Sequence, residues 1–239
     1  MKISKMSMPN PSMMTNAVGN VLRWLDENLE TVLRQRVPGV KANLDSELIL
    51  AGHSAAGHAM TQYLNGTCGK AKMLILLSPV DGLDPLGIIE DFIITPGKML
   101  PFAIPTLVIA AELDPENKMG FPACAPNSMA NSRFYDAMSG PKWFMNVSKY
   151  GHCDFYDTSA KKMSNMLCPT CKQHCNFPEY RTLLREAMVS FIHGILRRDR
   201  SSLEKIETGN FKIATIRKHD YMGYGSNPSA FCSRVNPSQ

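Results

Sequence analysis

The apolar positions change period along the chain, and each change predicts an element. Residues 15–36 place Val18, Val21, Leu22, Leu25, Leu29, Val32 and Leu33 at helical spacing. Thr15 or Asn16 can cap that helix, and Val37-Pro38-Gly39 ends it. Asp45 and Ser46 lead into a short apolar run, 47–51, read as a strand. A tight turn at Gly52-His53-Ser54 follows, then a small-residue helix from Ala55 to about Leu64 that breaks at Asn65-Gly66. Met73-Leu74-Ile75-Leu76-Leu77 and Thr106–Ala111 read as further buried strands, and Lys142–Val147 as a fourth. A last helix, 179–196, carries Leu183, Leu184, Met188, Phe191, Ile192 and Ile195 on one face. Residues 83–104 are apolar but punctuated by Pro and Gly, which suits either a lid or pocket wall or an ordinary packed connection.

Alternating strands and helices predict an α/β fold with a mostly parallel sheet flanked by helices. The chain of 239 residues suffices for one domain with a substantial core. We expect a leader over 1–14, the α/β domain over 15–200, and a loosely ordered polar tail over 201–239. There is no internal repeat. No run approaches the ~18 apolar residues of a transmembrane segment. The net charge of +5 is modest, and its late clusters, Arg197-Arg198-Asp199-Arg200 and Arg217-Lys218-His219, lack interleaved aromatics, so no nucleic acid is expected as a partner. Residues 1–14 hold Lys2, Lys5, Pro9 and Pro11 but no apolar core, so they do not read as a signal peptide. Localisation and oligomeric state are left undetermined.

Candidate chemistry gathers just past the strand ends, the edge where catalytic loops collect in open α/β sheets. Leu48-Ile49-Leu50-Ala51-Gly52-His53-Ser54-Ala55-Ala56-Gly57 sets a serine on a sharp strand-to-helix turn. That is the context of a nucleophile elbow, with Ala56 where the usual G-x-S-x-G has its second Gly. Ser54 is the candidate nucleophile, and the backbone N–H of Ala55 a candidate oxyanion donor. His152, after the last predicted strand and Gly151, is the candidate base; His53 and His58 read as packing residues of the elbow. The acid is either Asp81 or Asp114, each at the end of a strand, and spacing slightly favours Asp114. The order Ser–Asp–His is that of α/β-hydrolases, and ester hydrolysis by such a set needs no cofactor and no metal.

Seven cysteines leave one thiol over in a fully paired monomer. Cys168-Pro-Thr-Cys171-Lys-Gln-His-Cys175 admits disulfides, free thiols or a zinc knuckle. The sequons at Asn65 and Asn146 fit a secreted parent.

Four ordered motifs resemble the chlorophyllase family: Gly52-His53-Ser54-Ala55-Ala56-Gly57, Ser78-Pro79-Val80-Asp81-Gly82, Phe121-Pro122-Ala123-Cys124-Ala125-Pro126 and Tyr150-Gly151-His152-Cys153-Asp154. The family carries G-H-S-R-G-G, D-P-V-D-G, F-P-P/A-C-A-P and Y-G-H-x-D. The likeness spans about residues 20–198 and implies an α/β-hydrolase fold with a triad of Ser54, Asp81 and His152. It also implies hydrolysis of a hydrophobic ester, such as the one joining phytol to the chlorophyllide ring. Ala55, Ala56 and Ser78 depart from the family's Arg, Gly and Asp, and Asp114 stands where members generally lack an acid. Retaining both acids is similar to the wider dienelactone-hydrolase-like and polyester-hydrolase-like enzymes.

No strand-like run precedes residue 47, whereas the complete fold places part of its sheet, and the loop giving the second oxyanion donor, before the nucleophile strand. This predicts an N-terminally truncated domain with an exposed sheet edge. It leaves a second reading beside the esterase: a weakly active or inactive hydrolase-like fragment that binds lipids or proteins.

Overall fold

The computed structural model describes residues 11–41, 48–82, 92–118, 120–156, 168–209 and 214–220. Helix α1 spans Pro11–Arg34, strand β1 Ile49–His53, helix α2 Ala55–Gly66 and strand β2 Met73–Leu77. Strand β3 is Thr106–Ala111, helix α3 Ser132–Ala137, strand β4 Lys142–Val147, helix α4 Phe177–Leu196, helix α5 Arg200–Glu207 and strand β5 Ala214–Asp220. The five strands lie in the order β1-β2-β3-β4-β5. The first four strands, β1 through β4, pair in parallel, with Gly52 opposite Leu76, Leu76 opposite Val108 and Val108 opposite Phe144.

Both faces of the sheet are covered, which is why its strands read as unbroken apolar runs rather than alternating ones. All six residues of β3 are buried. Met73, Ile75, Leu107, Ile109, Trp143 and Met145 face α4, where Tyr180, Leu183, Leu184, Ala187 and Phe191 receive them. Leu74, Leu76, Val108, Ala110 and Phe144 face the other way, onto Leu64 of α2, Phe134 of α3 and the Phe102–Ile104 segment. The period-2 alternation of a strand thus splits one apolar run into two cores.

Helix α1 begins four residues before the predicted start, since proline is accepted in a helix's first turn. Its predicted apolar face divides: Leu22 packs on the second core, while Val21 and Val32, with Trp24, stay exposed. Helix α4 is fixed at its start by Asn176, whose side chain accepts the Glu179 N–H at 3.1 Å.

In the segment beyond 200, expected to be loosely ordered, α5 continues to Glu207 and β5 covers Ala214–Asp220, while 210–213 and 221–239 lie outside the described residues. Asp199 caps α5 by accepting the Ser201 N–H, and Leu203 and Ile206 reach the core beside Trp143 and Phe191. Gly194 makes room for this: a Cβ there would sit 2.5 Å from Leu203. Glu207 accepts the Trp143 indole N–H at 3.1 Å. Strand β5 then pairs antiparallel with β4. Two well-spaced apolar residues and one glycine suffice to dock this segment, too weak a pattern for periodicity to register. Most of the 83–104 segment's first half, 83–91, lies outside the described residues, as does the 1–10 part of the predicted leader.

Candidate active site

The turn from β1 into α2 places Ser54 at the helix N-terminus with φ 57° and ψ −130°. This backbone is rare for a residue with a side chain and is imposed by its surroundings. Ser54 N–H donates to Leu77 O at 3.1 Å, while its own carbonyl accepts from Val80 N–H and Gly57 N–H. Gly52 cannot be replaced without a shift, because a Cβ would meet the Ala56 carbonyl group at 2.7 Å. The second close approach falls at Gly57, whose Cβ would lie 2.7 Å from Pro79. The small residue that the usual motif puts two positions after the serine is therefore needed three positions after it, and Ala56 is accommodated.

His152 stands on the loop after β4. Gly151 N–H donates to Asp154 Oδ2 at 2.9 Å, and the same oxygen accepts the Cys171 N–H at 2.8 Å. A Cβ at Gly151 would lie 2.1 Å from the Pro169 carbonyl oxygen, so this loop and the cysteine loop touch backbone to backbone. Disulfides Cys124–Cys168 and Cys171–Cys175 close the cysteine loop, and Cys68 is also disulfide-bonded. The first of these ties the loop after β3 to the loop after β4, the two that carry Asp114 and His152.

The structure brings three of the candidate residues together. His152 Nε2 lies 2.8 Å from Ser54 Oγ, and His152 Nδ1 lies 3.3 Å from Asp114 Oδ1. Asp114 is wholly buried, and its other oxygen accepts the Ala111 N–H at 2.9 Å and the Asn131 amide at 2.8 Å. A carboxylate only accepts, so the proton of a neutral His152 belongs on Nδ1, and the Nε2 lone pair faces the serine hydroxyl.

Asp81, the acid that the family likeness implies, is not beside His152. Its Oδ1 lies 3.1 Å from His58 Nδ1, and its two oxygens accept the N–H groups of Ile93 and Ile94, each at 3.1 Å. Both aspartates end neighbouring strands, but the loop after β3 turns Asp114 toward β4, whereas the loop after β2 turns Asp81 toward α2. Ala55 opens α2, where N–H groups have no acceptor within the helix.

Two residues near His152 were not legible as part of this arrangement. Asn131, at φ 47°, comes from the far end of the same connection and carries no motif signal. His53, read as packing, donates from Nε2 to the His152 carbonyl at 2.9 Å. Its ring also packs against those of His152, Phe155 and Tyr156. Burial first, then the neighbouring His152, lowers its pKa to about 4, against the smaller raising effects of the bond to the His152 carbonyl and of Asp114. His53 is therefore a neutral donor near pH 7.

Among the described residues no helix is long and apolar enough to cross a membrane. No curated protein matches the chain. The family model described as Chlorophyllase matches residues 2–220. That span includes the elbow, both aspartates and His152, and by it the chain belongs to the chlorophyllase family.

Proposed function

We propose that this chain is a serine carboxylic ester hydrolase acting through Ser54, His152 and Asp114 on a hydrophobic ester, with chlorophyll, cleaved to chlorophyllide and phytol, as the substrate its family points to. The observation that carries the reading is the unbroken chain from Ser54 Oγ to His152 Nε2 and from His152 Nδ1 to Asp114 Oδ1, at 2.8 and 3.3 Å.

In the forward step Ser54 Oγ attacks the ester carbonyl carbon while His152 Nε2 takes its proton. Asp114 holds the ring and stabilises the imidazolium that forms. The Ala55 N–H, at the positive end of α2, donates to the oxyanion. Collapse expels the alcohol, which takes the proton from His152 and leaves an acyl group on Ser54. Water then attacks the acyl carbon, giving its proton to His152, and the acid departs as Ser54 recovers its hydrogen. The steps use the side chains of Ser54, His152 and Asp114, the backbone N–H of Ala55, and water.

The test is hydrolysis of p-nitrophenyl butyrate by the purified chain, with a fluorophosphonate probe of Ser54. Turnover and labelling that both disappear in Ser54→Ala support the esterase, and chlorophyll is the next substrate. A folded chain that neither turns over nor labels sinks the esterase and leaves the reading of a binding module. That reading draws on the apolar residues exposed along α1, Val21 and Trp24 among them.

A further inference from the structure

Asp81 is wholly buried and engaged on several sides. Beyond His58, its carboxylate accepts two successive N–H groups of one segment, Ile93 and Ile94. Arg133 Nε stands 3.1 Å from Oδ2, as a charge contact rather than an aligned hydrogen bond. The rest of that guanidinium reaches the same segment and the loop before α3. It donates to the carbonyls of Ile94 and Ser128, and its carbon lies 4.8 Å over the Phe92 ring. Phe92-Ile93-Ile94 is thus held by two N–H groups, a carbonyl and a ring face, all through one buried ion pair. A carboxylate taken from water in this way is tolerated only when so compensated, and it then fixes whatever compensates it.

The same network reaches the nucleophile. Val80, one residue before Asp81, donates its N–H to the Ser54 carbonyl at 3.1 Å and bridges to Ala130. Phe92 packs on Val80, Ala125, Met129 and Ala130, a small apolar cluster separate from the two large cores. Fixing Phe92–Ile94 to Asp81 therefore sets an apolar surface against the strand end that supports the elbow. A site for a hydrophobic ester needs such a wall, with few polar groups and a fixed position.

We propose that Asp81 is a positioning residue which, with Arg133, clamps Phe92–Ile94 beside the elbow, with Ile94 as the buried anchor and the half-buried Phe92 and Ile93 as the wall that receives the apolar part of the ester. The proposal rests on the serine-esterase reading of the site. Asp81→Asn alone would strand the Arg133 charge in a buried setting, so the decisive variant is the double Asp81→Asn/Arg133→Met, compared with Asp114→Asn. In the double variant fluorophosphonate labelling of Ser54 continues, slowed less than about tenfold. The preference for p-nitrophenyl laurate over p-nitrophenyl acetate, as the ratio of kcat/KM, falls roughly tenfold, mainly through KM for laurate. Hydrogen exchange at the Ile93 and Ile94 amides accelerates. Loss of labelling as complete as in Asp114→Asn would overturn the proposal, because Asp81 would then act on the chemistry. An unchanged laurate-to-acetate ratio, or unchanged exchange at Ile93 and Ile94 in a labelling enzyme, overturns it as well. A wild-type chain that does not label sinks the esterase reading and the wall with it, whereas the exchange measurement still decides the clamp.

Discussion

Two buried histidine–aspartate pairs flank the elbow, and the closer pair is the one that does not reach Ser54. His58 lies 3.1 Å from Asp81, and His152 lies 3.3 Å from Asp114. Both aspartates are wholly buried. The pairs differ at the far ring nitrogen. His152 Nε2 meets the hydroxyl of Ser54, at the mouth of a strained turn. His58 Nε2 is buried without a hydrogen-bond partner among the described residues. They differ as well in what holds the carboxylate. Asp114 is oriented by neutral donors, Ala111 N–H and the Asn131 amide, which leave its charge for the histidine. Asp81 has already spent its charge on Arg133. A histidine–aspartate contact is thus a common way to satisfy buried polar groups, and it becomes a catalytic device only when the second nitrogen has a reactive neighbour and the carboxylate has no other cation.

The largest effect that breaks this comparison is at Asp114. Asp114→Asn keeps the volume but lets the amide donate to Nδ1, which favours the wrong tautomer of His152. kcat falls by about 10⁴-fold while the protein stays folded. Steady-state kinetics with p-nitrophenyl butyrate beside a thermal melt check this. A loss below tenfold would hand the role of acid to another group.

His58 sharpens the comparison from the other side. His58→Leu keeps an apolar side chain of similar bulk, removes the unpartnered Nε2, and deprives Asp81 Oδ1 and the Gly82 N–H of a neighbour at 3.1 and 2.9 Å. Stability should drop by about 1–3 kcal/mol in chemical denaturation, with kcat reduced less than tenfold. If kcat instead collapses as in His152→Leu, the two pairs are not functionally distinct.

Much of this was legible from pattern. Thr106–Ala111 and Lys142–Val147 emerge at their expected limits, because a strand buried on both faces is a bounded apolar run and nothing else nearby imitates it. The positions of Ser54 and His152 follow from where strands end. The choice of acid does not, since Asp81 and Asp114 share that local context. What separates them is the direction of two loops, set by contacts such as Asn131 to Asp114, 17 residues apart, and Arg133 to Asp81. Disulfide pairing was equally beyond a count of cysteines. Cys124 meets Cys168 across 44 residues because the loops after β3 and β4 lie side by side, a fact of topology rather than of spacing.

The smallest predicted effect concerns His53, which the comparison leaves in a third role, a neutral ring holding the loop of His152. Its folded pKa, lowered to about 4 chiefly by burial, lies below the ordinary 6.5. The unfolded chain therefore binds a proton here in a pH range where the folded chain does not. The stability that depends on a neutral His53 is full above pH 6.5 and is lost as pH falls toward 4, by at most about 3 kcal/mol. His53→Phe retains an aromatic ring among His152, Phe155 and Tyr156 but cannot donate to the His152 carbonyl. At pH 7.5 it should be less stable than the wild type by about 1 kcal/mol. On acidification the variant escapes the penalty, so the gap closes and then reverses between pH 6 and 4 in urea titrations run side by side. The buried carboxylates titrate in both proteins and largely cancel in that difference, which isolates His53. A gap that stays constant with pH would mean that the ring takes up a proton as freely folded as unfolded, and its bond to the His152 loop would then not depend on its being neutral.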